Sequence, residues 1–383
     1  MVGAVSRPRL LLLQPVAELY GSDRTMLSSL PELVETFDVT LAVATDGPAV
    51  ERARALGAEV LVLPDFAIRR SHFRPLAVVP WLARIAATMV RLTRLHRRRR
   101  FDVIYSNTLT AAIGPLLRLT WRVPHLLHVH ESPGANAAVL RGIFLSIRAG
   151  TDRVVCNSEA TRRYVIAHQA ALADRTLVVH NGIDLPEPSG PPAPSDRLRI
   201  TCVGRIHPKK GQWVLVEAAR TLVRDGVPVE LHFYGDHLPQ HQHIWDDLLR
   251  QVDEAGLDKA VTWHGFIDDT AAMYRDCDIA VVPSVMPEEF SLVCVEAQSM
   301  RLPVIATGPG GASEVIVDGE TGLIVPPDDA VALTAALASL ADDPDRRTTM
   351  GRLGRERMEA LFSRAPFGQR IRDLCVATAR PDR

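Results

Sequence analysis

Short apolar runs recur along this chain, and segments with helical periodicity fill the gaps between them. In the first half the runs are LLLLQ, VTLAVA, EVLVL, DVIYSN, HLLHVH, RVVCNS and LVVHN. In the second half they are RITCVG, VELHFYG, AVTWHG, IAVVP, PVIAT and LIVP. Strand-like runs alternating with helices predict an α/β chain whose parallel sheets are flanked by helices. Between the halves DLPEPSGPPAPSD, rich in proline and small polar residues, reads as a linker near residues 185–197. The pattern sets a first domain over residues 1–190 and a second over 197–362.

The segment PLAVVPWLARIAATMVRLTRLHRRRR predicts an amphipathic helix. Leu82, Ile85, Ala86, Met89 and Leu92 form its apolar stripe, and Arg97, Arg98, Arg99 and Arg100 close it. Two readings stay open for the basic end: cations favoured by the helix dipole, or a patch that meets anionic lipid headgroups.

A chain of 383 residues with 47% apolar and 23% charged residues is long for one core and ordinary for a globular protein. The five cysteines, Cys156, Cys202, Cys277, Cys294 and Cys375, form no CxxC pair and read as reduced and mostly buried, which suits the cytoplasm. Arg7 and Arg9 precede LLLL, but Gln14 and Pro15 end that run, which reads as a first buried strand rather than an export signal. The near-neutral total hides an asymmetry. Through residue 185 there are 23 arginines against 15 acidic residues, a formal +8, and the remainder carries −9. The only lysines are Lys209, Lys210 and Lys259.

Two of those lysines fall in VGRIHPKKGQWVLVEAA, between a strand and a helix. Arg205 and Lys210 there could neutralise a diphosphate leaving group, or could be ordinary solvated cations. In PSVMPEEFSLVCVEAQSM a strand runs into a loop with Glu288 and Glu289. Phe290, Ser291, Leu292 and Val293 then open a helix that carries Glu296. Helix-start amides suit a phosphate or a sugar hydroxyl, and Glu296 suits a pair of ribose hydroxyls. The competing reading makes Glu288 a surface acid and pairs Glu296 with an arginine. Gly308, Gly310 and Gly311 mark a tight loop that either approaches a ligand or only turns the chain. No DxD follows a strand, no HExxH appears and no nucleophile elbow is present, so no metal and no required cofactor is expected.

Taken together, GRIHPKKG, VTWHGFID, DIAVVPSVMPEEFSLVCVEAQSM and PVIATGPGGASEVIVDGETGLIVPPDD resemble the nucleotide-binding domain of the family 4 retaining glycosyltransferases. These have the GT-B architecture, two Rossmann-like domains with parallel sheets facing across a cleft. The likeness covers about residues 200–345 well. Earlier it is looser: YGSDR is similar to a glycine-rich GGAER loop, with Tyr20 at the first glycine, HVHE to a strand-end histidine motif, and HNGID to the segment before the linker.

The resemblance implies roles. Arg205 and Lys210 match the diphosphate-binding pair, Glu288 and Glu296 the two spaced glutamates, with Glu296 on ribose. Phe290 to Val293 would hold sugar and leaving phosphate. Phe266 falls where the family holds the base through its backbone, and Gly21 where the first domain lets backbone approach donor or acceptor. His130 matches the histidine near the reacting sugar, although in LLHVHE it and His128 could equally be core histidines. Glu131 is placed to orient His130 or bind acceptor, and Asn107 to contact acceptor or cap a helix. Ser291 and Glu289 depart from the family pattern. The segment 363–383 is expected to cross back onto the first domain. The implied activity is transfer, with retention, from a UDP- or GDP-linked sugar to a glycan, glycolipid or small-molecule acceptor, in cell-surface polysaccharide or glycolipid synthesis. A sugar-nucleotide epimerase and a non-catalytic nucleotide-sugar-binding protein are the alternatives. Nucleic acid is not an expected partner.

Overall fold

The computed structural model describes residues 7–19, 21–68, 75–111, 113–134, 136–188 and 193–379. Tyr20, the middle of the linker and residues 380–383 lie outside them. The chain divides into two units: Met1–Asp184 with Ser363–Arg383, and Leu185–Phe362.

Each expected run forms a strand. Unit 1 holds β1 (Arg9–Gln14), β2 (Asp38–Val43), β3 (Glu59–Val62), β4 (Val103–Ser106), β5 (His125–Val129), β6 (Arg153–Cys156) and β7 (Thr176–Val178). Unit 2 holds β8 (Leu198–Val203), β9 (Val229–Tyr234), β10 (Val261–Trp263), β11 (Ile279–Val282), β12 (Val304–Thr307) and β13 (Gly322–Val325). The strands pair in parallel, in the orders β3-β2-β1-β4-β5-β6-β7 and β10-β9-β8-β11-β12-β13. Both sheets start in the middle, wind outward, then return to the other side of the first strand. The winding reverses between β1 and β4, and again between β8 and β11. Loops leaving such a strand pair diverge, and this opens a crevice at the carboxyl ends.

The run Leu10–Leu13 is apolar at every position because both faces of β1 are covered. Leu10 and Leu12 join Met26, Leu30, Phe367 and Ile371 on one face, and Leu11 and Leu13 join Phe66, Leu92 and Phe101 on the other. All four leucines are fully buried, each contributing about 2 kcal/mol of transfer free energy. The terminal helix Arg364–Thr378 packs on the helix Gly21–Thr36 within unit 1. Gly368 permits the approach, since a Cβ there would lie 2.2 Å from Glu32 Oε2. Arg364 fixes the helix start with 2.7 Å bonds to Glu32 and Asp184.

The helix Pro75–Arg99 corrects two expectations. Leu82 and Ala86 face outward, and the inward stripe is Trp81, Ile85, Thr88 and Leu92. Trp81 Nε1 donates to the Ala67 carbonyl at 2.9 Å and Thr88 Oγ1 to the Pro64 carbonyl at 3.0 Å. The shift arises because an indole and a threonine carry enough apolar surface to be buried once their polar atoms are bonded. Arg99 also leaves the basic patch: its guanidinium forks onto Glu59, while Arg97, Arg98 and Arg100 stay exposed.

Candidate functional site

In unit 2 the chemistry gathers beside the β8–β11 reversal. β8 ends at Val203, and the Gly204–Lys210 loop is clasped from below by Gln212, which donates to the carbonyls of Gly204 (3.3 Å) and Arg205 (3.0 Å). Gly235, at φ 121°, lies so close that a Cβ would sit 2.5 Å from the Gly204 carbonyl oxygen. Gly211 precedes the helix Gln212–Arg224 at φ 63°, and a Cβ there would meet the Pro283 carbonyl at 2.1 Å. That double demand, left-handed backbone and close approach, explains the glycine after the lysine pair. It lays the β8 loop against the end of β11.

Lys210 Nζ consequently reaches Glu288 Oε1 at 2.5 Å, and Ser284 Oγ donates to the same oxygen at 2.5 Å. Burial works against both charges, lowering the lysine and raising the glutamate. Their mutual attraction and hydrogen bond outweigh it, helped on Glu288 by Ser284 and Ser291, so Lys210 is shifted up and Glu288 down. The pair is fully ionised at neutral pH and still partly open to solvent, with 32% of the lysine side chain and 16% of the glutamate exposed. Arg205 is exposed on the same loop.

Ser291 caps the helix Leu292–Ser299 and accepts from the Cys294 amide at 3.4 Å. The Leu292 and Val293 amides are first-turn donors with no acceptor inside the helix. Glu296 is 2% exposed, and its Oε2 accepts from the Tyr274 hydroxyl at 3.1 Å. A tyrosine is thus one partner of Glu296. Gly310 and Gly311 lie against the backbone of residues 287–290: the Gly311 amide donates to the Glu288 carbonyl at 2.7 Å, and a Cβ on Gly311 would lie 2.3 Å from the Glu289 carbonyl oxygen. The glycine loop therefore buttresses the glutamate segment. Phe266 follows Gly265 at the end of β10, its ring 65% exposed and its amide donating to Asp236 at 3.3 Å.

In unit 1 a second constellation surrounds the β1–β4 reversal and the end of β5. Asn107 is fully buried. Its Nδ2 donates to Gln14 Oε1 and to the Ser22 carbonyl, each at 2.9 Å, and its Oδ1 lies 2.9 Å from the Tyr105 hydroxyl and 3.3 Å from His130 Nε2. Gln14 Nε2 continues the chain to Asp23 at 2.5 Å. The Asn107 side chain is thus engaged within this network at both of its polar atoms. Gly21 opens the helix whose next residue, Ser22, receives Asn107. His128 and His130 face the same side, ring centroids 3.9 Å apart. Burial lowers His130 to about 3, leaving a neutral imidazole. Glu131 accepts from the Thr108 hydroxyl and from the amides of Thr110 and His130, each at 3.2 Å for the amides; burial raises it while these bonds oppose. Its carboxylate ties the loop after β5 to the loop after β4 rather than bonding the His130 ring.

Sequence reasoning did not single out Gln14, Asp23, Tyr105, Ser284, Tyr274 or Gln212. Gln14 had a signal, as the one polar residue closing an apolar run. Among the described residues no group of three or more His, Cys, Asp or Glu could hold a metal ion, and no helix is long and apolar enough to cross a membrane.

Two doubly wound parallel sheets, each with polar groups at its reversal point, define a GT-B type protein. The family described as "Glycosyltransferase Family 4" matches residues 21–187, and "Glycosyl transferases group 1" matches residues 197–343. A D-inositol 3-phosphate glycosyltransferase of Arthrobacter sp. (strain FB24) is 30% identical over 293 residues, spanning 70% of this chain and 69% of that protein. One from Kineococcus radiotolerans is 31% identical over 309 residues, 70% of each. The Anabaena Alr3699/HepE structure in complex with UDP and glucose superposes with a TM-score of 0.82 at 22% identity, over 97% of this chain and 100% of that one. Sucrose-phosphate synthase of Thermosynechococcus elongatus does so with 0.77 at 22% identity, over 96% and 98%. This chain belongs to the group 1, family 4 glycosyltransferases, and is a transferase enzyme.

Proposed function

We propose that the enzyme takes its sugar from a nucleoside-diphosphate donor bound on unit 2 and transfers it with retention of configuration to a hydroxyl acceptor. The observation that carries this is the convergence of Lys210, Glu288, Ser284 and the Leu292–Val293 amides on one carboxyl-end crevice. Lys210 and Arg205 hold and neutralise the diphosphate, which gains charge as it leaves. Glu288 keeps Lys210 ionised and placed. The amides at Leu292 and Val293 receive a phosphate or sugar oxygen, Glu296 takes the ribose hydroxyls once Tyr274 shares its carboxylate, and the backbone at Phe266 meets the base. With two cations beside the phosphates, the chemistry needs no metal. His130 in unit 1 meets a substrate hydroxyl. Retention by front-face attack, with the leaving phosphate taking the acceptor proton, fits a site that offers charge stabilisation and no placed nucleophile.

The UDP complex of the Anabaena protein supports a UDP-linked donor, and the inositol-phosphate relatives put an anionic polyol beside glycans and glycolipids as acceptor. A thermal-shift panel of UDP-, GDP- and ADP-sugars tests the donor. One nucleotide sugar is expected to raise the melting temperature and the others not. No shift with any of them, and no binding of UDP or GDP by calorimetry, would remove the reading. Donor incubated alone should stay unepimerised.

We infer a cytoplasmic enzyme that touches an anionic membrane surface. Arg97, Arg100 and Arg122 line an indentation of about 410 Å³ with His96, and Val79 and Leu82 are exposed several turns earlier on the helix that carries His96 and Arg97. Replacing Arg97, Arg98 and Arg100 with Gln should release the protein from phosphatidylglycerol vesicles, by about 1 kcal/mol per charge. Native protein that fails to sediment with such vesicles at low salt refutes the contact.

A further inference from the structure

The unit 1 network determines which nitrogen of His130 carries the proton. The Ser22 carbonyl can only accept, so the group of Asn107 that faces it must be the amide nitrogen. The same orientation is forced from the other side. Asp23, an acceptor at both oxygens, fixes the Gln14 nitrogen toward itself and leaves Gln14 Oε1 for the second Asn107 hydrogen. The remaining atom, Asn107 Oδ1, accepts from the Tyr105 hydroxyl and faces His130 Nε2. A carbonyl oxygen opposite a ring nitrogen requires that nitrogen to be the donor. His130 Nε2 therefore carries the hydrogen, and Nδ1 keeps its lone pair. That Nδ1 is buried and has no hydrogen-bond partner. A buried acceptor left unsatisfied costs stability, and in a native protein such an atom calls for a functional explanation.

We propose that Asn107 is a positioning residue: its amide, locked by Gln14 and the Ser22 carbonyl, holds His130 in the Nε2–H tautomer and so presents Nδ1 as the acceptor for a substrate hydroxyl. This rests on the reading that His130 meets substrate. The groups around the ring agree with it. His128, on β5, lies against His130 with the rings tilted by 41° and is itself held neutral by burial and by that neighbour. Tyr105, on β4, bonds both His128 and Asn107. The carboxylates beside the network are engaged elsewhere: Asp23 with Gln14 and the Glu18 amide, and Glu131 with Thr108, Thr110 and the His130 backbone amide. A hydroxyl that donates to Nδ1 is oriented by a neutral base that does not take the proton. This suits a step in which the leaving phosphate receives it.

The test uses the full chain labelled with ¹⁵N-histidine, with the His130 signals assigned by their loss in His130→Gln. Long-range ¹H–¹⁵N correlations should show the Nε2–H tautomer in the native protein and a mixture in Asn107→Leu. Asn107→Leu should lower kcat about 10- to 100-fold, the scale for misorienting one reacting group, with the donor KM within about twofold. Tyr105→Phe deletes a hydroxyl of the same buried network but leaves the Gln14 and Ser22 bonds in place. It should lower the melting temperature, keep the tautomer and hold kcat within about threefold, a split that a purely structural network would not give. An Nδ1–H tautomer in the native protein overturns the proposal, and needs no variant to fold. Native-like kcat in Asn107→Leu also overturns it. Full activity in His130→Gln together with the expected native tautomer would instead remove the functional reading of His130 and leave the positioning intact.

Discussion

Unit 1 and unit 2 share one winding order and fill its reversal point with opposite chemistry. Beside β1 and β4 stand amides, a phenol and imidazoles, with one carboxylate, Asp23, that takes the Gln14 amide and the Glu18 backbone: Gln14, Asp23, Asn107, Tyr105 and His128 are all fully buried. Beside β8 and β11 stands an ion pair, Lys210 with Glu288, that keeps part of its surface in water. Neutral groups can be buried outright when each donor finds an acceptor, because their desolvation is modest. Charges are costlier to bury and need close pairing or several hydrogen bonds, such as those Asp23 accepts. The difference matches the ligand each could serve. A neutral, preset lone pair suits a hydroxyl. An ammonium that is ionised, about a third exposed and held by Glu288 suits a phosphate whose charge grows during reaction.

The largest expected effect lies on the charged side. Lys210→Met should lower transfer about 100-fold or more, since it removes a preorganised charge from the leaving group. It should also leave Glu288 without its cation, at about 1.5–3 kcal/mol of stability in unit 2. Steady-state kinetics and thermal unfolding of the same variant check both. A variant with native kcat would end the assignment of Lys210 to the diphosphate and with it the contrast between the two units.

The glycine buttress sharpens the same contrast, because unit 2 places its carboxylate through backbone contact where unit 1 uses side-chain amides. Gly311 sits at φ −61°, so its need is for space and not for unusual backbone. Gly311→Ala would thrust a methyl against the Glu289 carbonyl and push residues 287–290 from the loop. About 1–3 kcal/mol of destabilisation is expected, with activity falling about tenfold as Glu288 loses register with Lys210. Unchanged kinetics and melting temperature would show that the two loops yield at no cost.

Much of unit 2 could be read from the sequence because its chemistry is nearly contiguous. Glu288, Ser291 and Glu296 fall in one strand–loop–helix segment, and Lys210 is marked by the scarcity of lysine and by the glycine after it. The strands were legible because burial on both faces makes each run apolar at consecutive positions. Unit 1 was less open. Gln14 meets Asn107 across 93 positions, through the adjacency of β1 and β4, and nothing local in either residue announces that partner. Arg99 hid for the same reason, reaching Glu59 across 40 positions from within a run of like charges. Trp81 and Thr88 were absent from the stripe read off the sequence because hydropathy alone ignores a polar atom that can be bonded to a nearby carbonyl.

The smallest effect is on acid stability, and it separates the units by size and by pH window. His125 is fully buried, bonded to Ser106 and to the Gly150 carbonyl, and burial lowers it to about 4. His128 and His130 are lowered as well. In the unfolded chain a histidine binds its proton below about 6.5. Between that value and about 4 the unfolded state therefore holds protons that the folded state of unit 1 refuses, and its stability falls as pH falls. At pH 5 the loss is about 2 kcal/mol for a histidine such as His125. Glu131, raised by burial, offsets part of this by taking its proton before an unfolded carboxylate would. Unit 2 behaves otherwise. Its lowered histidines, His207, His232 and His264, keep contact with solvent and shift less, and Glu288 has a depressed value, so its contribution is intact above about 4.5 and is lost only as pH falls through the folded value. Between pH 7.5 and pH 5, hydrogen exchange corrected for its intrinsic rate should thus accelerate in β4 and β5 and change little in β8 and β11. Equal acceleration in both sheets would mean that the buried imidazoles do not set the acid response, and that neutral and ionic designs differ less in stability than their burial implies.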